Sequence, residues 1–163
     1  NSNILESTKS NMDKQSIKLS EIKELIPHRE PFIFIDELTN IKKLKEATGI
    51  KTFVKEDHFF RGHFPDKPVV PGVILIEVMA QTAAALIAYS LRDETFNKIV
   101  YLMNIEKSKF RNPVFPETKV FSNVFALRSK GRVWKFEGEI LNKNNIKICD
   151  ATWSAMIMDK DNE

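Results

Sequence analysis

Within Arg61 to Ser90, RGHFPDKPVVPGVILIEVMAQTAAALIAYS, a histidine, a glutamate and a glutamine sit in otherwise apolar or turn-forming sequence. His63 lies on a loop stiffened by prolines, and a neutral imidazole can take a proton near pH 7. Glu77 and Gln81 are spaced i and i+4, so on a helix they share one face and the amide can hydrogen-bond the carboxyl group. Burial in an oily helix disfavours the carboxylate form, so Glu77 is expected to hold a proton and act as a general acid. If the helix starts at Pro71, Glu77 stands about 9 Å further along its axis. At that start the N–H groups of Gly72 and Val73 have no partner inside the helix and carry the positive end of its dipole. Gly72 has no Cβ to keep a ligand away from the backbone. A base, an amide pair for a carbonyl oxygen and an acid together suit proton abstraction beside a carbonyl with loss of a β-hydroxyl.

These groups need a rigid frame. From Val73 to Ala88 only Glu77, Gln81 and Thr82 are polar, and a helix apolar on every face must be covered on every face. The segments around it can do this. SIKLSEIKELIP reads as a short amphipathic helix ending at Pro27. PFIFIDELTNI and EATGIKTFV read as strands, and EDHFFRGHFPDKPVVPG as a loop. After the helix, NKIVYLMNIEKSKF leads into the proline-broken RNPVFPE. TKVFSNVFALRS, RVWKFEGEILN and IKICDATWSAMIM then read as strands, separated by turns at Lys130-Gly131 and Asn142 to Asn145. The expectation is an α+β chain in which one curved antiparallel sheet wraps a long central helix, with a partner subunit covering the rest. A single domain is expected over residues 17–160, preceded by a polar, poorly ordered arm over residues 1–16.

Composition narrows the function classes. The chain has 163 residues, 42% hydrophobic and 29% charged, as in ordinary globular proteins. A net charge of +3 is too small to argue for nucleic acid. The one cysteine, Cys149, allows no internal disulfide and reads as a strand residue, inert if buried. The N-terminal residues contain no signal-like apolar core. The apolar run from Val69 to Tyr89 is broken by Pro71, Glu77 and Gln81, so it reads as a buried helix and not a membrane span. Cytoplasm is the expected location, or an organelle stroma if a leader has been removed. His58 and His63, with Asp57 and Asp66 near them, match no metal-ligand spacing. His28, in IPHREP, reads as a structural hydrogen-bonder. Lys107, Lys109, Arg111, Arg128, Lys130 and Arg132 are either solvated charges or a landing patch for an acidic protein.

GHFPDKPVVPGVILIEVMAQ resembles the signature of the hot-dog-fold β-hydroxyacyl-acyl carrier protein dehydratases, most closely the FabZ type. IPHREPFIFIDEL and KFRNPVFPETKV extend the resemblance over about residues 17–158. It implies a hot-dog fold with a dimer as the catalytic unit, assembled as a trimer of dimers. It implies His63 and Glu77 as the catalytic pair, each site taking His63 from one subunit and Glu77 from the other. Gly72, Val73, Phe64 and Gln81 are the expected substrate contacts, the substrate arriving on acyl carrier protein with no metal or cofactor. The sequence departs from the family pattern at Glu30, where tyrosine is usual, and at Glu117, where glycine is usual. A hot-dog thioesterase and a non-catalytic acyl-thioester-binding module are the alternatives.

Overall fold

A computed structural model describes residues 16–92 and 98–160. The chain runs β1 (Ser16–Lys18), α1 (Leu19–Leu25), β2 (Glu37–Lys42), β3 (Glu46–Phe53), a 3-10 turn (His58–Arg61), α2 (Gly72–Ser90), β4 (Lys98–Phe110), β5 (Thr118–Lys130), β6 (Val133–Asn142) and β7 (Lys147–Asp159). The strands form one seven-stranded sheet in the order β1-β2-β3-β5-β6-β7-β4, antiparallel throughout. Helix α2 packs on β3, β5 and β6, and its residues from Leu75 to Tyr89 are buried except Glu77 and Ala80. Val78, Met79 and Leu86 join Phe53, Val120, Val124, Phe136, Ile140 and Trp153 in a single apolar cluster. This is the helix-in-sheet, hot-dog arrangement expected from the sequence. The reason is the one anticipated: a helix with almost no polar face is stable only when enclosed.

Enclosure brings backbones close. Gly49 of β3 passes directly over Thr82 of α2, and a Cβ at Gly49 would stand 2.2 Å from Thr82 Oγ1. That hydroxyl donates to the carbonyl of Val78 at 2.7 Å, so a polar side chain is satisfied inside the core.

Three local expectations change. The stretch read as an amphipathic helix opens with the short strand β1, and only Leu19–Leu25 is helical. Ser16, the last residue of the expected N-terminal arm, begins that strand; residues 1–15 lie outside the described residues. PFIFIDELTNI is a strand only from Glu37 onward. Ile33, Phe34 and Ile35 are buried but lie outside any strand, and the side chain of Gln81 takes the Phe34 N–H and the Phe32 carbonyl instead. Both hairpin turns lie where expected. Gly131 (φ 60°) turns β5 into β6, and Asn142 Oδ1 accepts from the N–H groups of Asn144 and Ile146 between β6 and β7.

Among the described residues, two uncovered apolar surfaces lie on β4 and α2. Strand β4 pairs with β7 along one edge only and exposes Tyr101, Leu102, Met103, Ile105 and Phe110. On α2, Val73 is 74% exposed, and Glu77 and Ala80 continue the same open stripe at helical spacing.

Candidate active site

His63 follows the 3-10 turn and is held by three bonds. Its N–H donates to Phe59 O at 3.0 Å, and its carbonyl accepts from Val69 N–H at 2.9 Å. Its ring Nδ1 stands 2.8 Å from Val69 O. A carbonyl oxygen only accepts, so Nδ1 carries the hydrogen and Nε2 is left with its lone pair. Phe64 stacks on the ring, with centroids 4.2 Å apart, and the His63-Phe64 peptide is cis. The loop is tied at its far end to the link between β4 and β5 by Val70 N–H on Val114 O, at 2.8 Å.

At the start of α2, the N–H groups of Ile74 and Leu75 both reach Pro71 O, at 3.0 and 3.4 Å. Those of Gly72 and Val73 come before the first intrahelical bond and face outward with the helix dipole. A Cβ at Gly72 would stand 2.9 Å from the ring of Phe110, so the glycine lets this strand-end aromatic lie against the helix start. Phe110, Val70, Leu75 and Val114 line a groove of about 440 Å³ that opens at Gly72.

Glu77 lies one and a half turns further along α2. Burial pushes its carboxyl group above the ordinary carboxylate range, partly offset by the hydrogen bond from Gln81. Gln81 Nε2 donates to Glu77 Oε1 at 3.1 Å and to Phe32 O at 2.9 Å, while Gln81 Oε1 accepts from Phe34 N–H at 2.7 Å. Gln81 is 1% exposed. Its side chain bonds Glu77, Phe32 O and Phe34 N–H, which positions the carboxyl and holds the 32–34 segment.

His28 lies in a loop as expected, but it makes no side-chain hydrogen bond at ordinary distance. Its Nε2 stands 3.6 Å from Glu77 Oε1, and its buried Nδ1 has no hydrogen-bond partner. Burial, reinforced by Arg29, lowers its pKa, which favours the neutral ring. The two residues are 49 apart in sequence, and no local spacing announces the contact. Within one chain, the polar partners of His63 and of Glu77 do not overlap.

The two departures from the family pattern are accommodated locally. Glu30 pairs with Lys23 at 2.6 Å. Glu117 has φ 63°, a left-handed conformation that glycine adopts without strain, and its carboxylate accepts from Lys55 N–H at 2.9 Å. Cys149 is buried in β7 with its thiol pushed up to about 12, chiefly by burial, so it is held as an unreactive thiol.

A sheet wrapped around one long helix defines the hot-dog class. In keeping with this, the dehydratase heterocomplex ApeI:P from Xenorhabdus doucetiae superposes with a TM-score of 0.73, at 15% identity, covering 85% of this chain and 91% of that one. The FabA-like domain family matches residues 26–152. The 3-hydroxyacyl-[acyl-carrier-protein] dehydratase FabZ of Paramagnetospirillum magneticum is 43% identical over 88% of this chain and 89% of its own. The FabZ of Rhodospirillum rubrum is 40% identical over 93% and 94%, and that of Campylobacter jejuni 37% over 88% and 99%. The chain therefore belongs to the FabA-like domain family, among its FabZ-type dehydratases.

Proposed function

We propose that this protein dehydrates (3R)-hydroxyacyl-[acyl carrier protein] to the trans-2-enoyl thioester in type II fatty acid synthesis. The observation that carries the reading is the bond between His63 Nδ1 and Val69 O, which leaves Nε2 as a base on a fixed ring. Nε2 takes the C2 proton as negative charge gathers on the thioester oxygen, opposite the Gly72 and Val73 N–H groups. The C3–O bond then breaks, Glu77 gives its proton to the departing hydroxyl, and water leaves as the C2–C3 double bond forms. No metal or redox cofactor has a part in these steps.

His63 of one subunit works with Glu77 of the other in this reading. The open stripe of Val73, Glu77 and Ala80 and the unpaired edge of β4 support a dimer, since both are apolar surfaces that a second copy would bury. A trimer of such dimers, a cytoplasmic location and carrier docking at the Lys107 to Arg132 basic residues complete the proposal. So does a single domain over residues 17–160.

The test is incubation with 3-hydroxybutyryl-[acyl carrier protein], following enoyl absorbance and free thiol together, beside folded His63→Ala and Glu77→Gln. Enoyl formation without thiol release, lost in both variants, is the expected result. Thiol release would make the protein a thioesterase, and binding of short and long chains without turnover would make it a binding module.

A further inference from the structure

The environment of Glu77 is lopsided. Oε1 takes the Gln81 Nε2–H at 3.1 Å and has His28 Nε2 at 3.6 Å. The tautomer of His28 follows from its other nitrogen. Nδ1 is buried and unpartnered, and a hydrogen placed there would be a buried donor with no acceptor, costing about 1–3 kcal/mol. The hydrogen therefore sits on Nε2 and points at the carboxyl oxygen. With the Gln81 N–H bonded to Oε1 and His28 Nε2 lying nearest that same oxygen, Oε1 is the acceptor in both protonation states. The acid proton is left to Oε2.

We propose that His28 is a positioning residue of the acid: its Nε2–H fixes the proton on Oε2 of Glu77 and stabilises the carboxylate that each turnover creates. This rests on the dehydratase reading, in which Glu77 gives up its proton to the leaving hydroxyl and must recover one before the next cycle. Gln81 alone donates at hydrogen-bond distance in the resting state, and the 3.6 Å contact closes when charge appears on the carboxylate. Few other charges are free to play this part. The Arg29 guanidinium is bound to the carbonyls of Lys23, Ile26 and His28. Lys23 is paired with Glu30, and Lys51 with Asp36. On α2 itself Glu77 is the single charged residue.

The experiment compares wild type with His28→Phe, which keeps a ring but removes the donor, and His28→Gln, whose side-chain N–H can still reach Oε1. The pH dependence of kcat is measured for each, and the Glu77 carboxyl is titrated by carbon NMR after isotopic labelling. The expected result for His28→Phe is a kcat lower by about tenfold with KM nearly unchanged, since a charge-assisted bond to the acid is lost. Its alkaline limb and the Glu77 titration both move to higher pH, because the carboxylate has lost a stabilising donor, and His28→Gln recovers much of both. An unmoved titration in His28→Phe overturns the proposal even if activity falls. A wild-type protein that dehydrates nothing overturns the dehydratase reading instead, while the titration still decides what His28 does to Glu77.

Discussion

The backbone N–H of Phe34 donates to the side-chain oxygen of Gln81, 47 residues later, at 2.7 Å. Together with the bond from Gln81 Nε2 to Phe32 O, this makes one side chain the partner of a buried, extended segment that has no strand beside it. The same Nε2 reaches Glu77, so the amide that completes the fold also orients the acid. Gln81→Ala would leave the buried Phe34 N–H and the part-buried Phe32 carbonyl without this partner. A stability loss of about 2–4 kcal/mol is expected in urea unfolding, with kcat falling as Glu77 loses its donor. A loss below about 0.5 kcal/mol would mean that water replaces the amide.

Glu77 imposes a pH-dependent cost on the fold. Its carboxyl is raised by burial, so the folded chain holds this proton more tightly than the unfolded chain does. The resulting stability is fully present below the ordinary value of 4.5 and is lost as pH rises through the folded value. Glu77→Gln does not titrate. The variant should therefore melt above wild type at neutral pH, with the gap closing as pH falls toward 4.5. His28, lowered in the fold, has the opposite sign: its contribution is present above 6.5 and is lost as pH falls through its own folded value. It is common to both proteins. Parallel melting curves from pH 4.5 to 7.5 would show that Glu77 costs nothing.

The crossing of β3 over α2 tolerates no methyl group. Gly49→Ala would press a Cβ onto Thr82 Oγ1, whose hydroxyl bonds Val78 O and Ser122 Oγ. The expected cost is about 1–3 kcal/mol, from overpacking and strain on the buried hydroxyl. In the Thr82→Ala background the same change should cost clearly less, and equal costs in the two backgrounds would place the strain elsewhere.

A charge on the bare edge of β4 should separate subunits. Ile105→Lys puts an ammonium on the exposed strand, which discourages edge pairing between copies. Sedimentation should then report a smaller species than wild type, with dehydration lost, as the proposal of a site shared between two subunits requires. A folded variant of unchanged mass and activity would remove β4 from the interface.

How much of this was legible in the sequence depended on how far each signal reaches along the chain. Helix α2 could be read almost to the residue, because Pro71 and the largely apolar run to Ser90 are local signals. The hairpins at Gly131 and Asn142 were equally local. His63, Glu77 and the free amides of Gly72 and Val73 could be named from residue type and helix spacing, since the i, i+4 relation between Glu77 and Gln81 needs no tertiary information. Only the tertiary structure decided that Phe32 and Phe34 pair through their backbone with the Gln81 side chain instead of a strand. It also decided that His28 faces Glu77, and that Glu117 occupies a left-handed backbone position. The first two are contacts made by closing loops of more than 40 residues, and the third is a turn conformation that glutamate itself does not favour. Residue type and periodicity report what a short stretch can do alone; which distant groups meet depends on how the sheet closes around its helix.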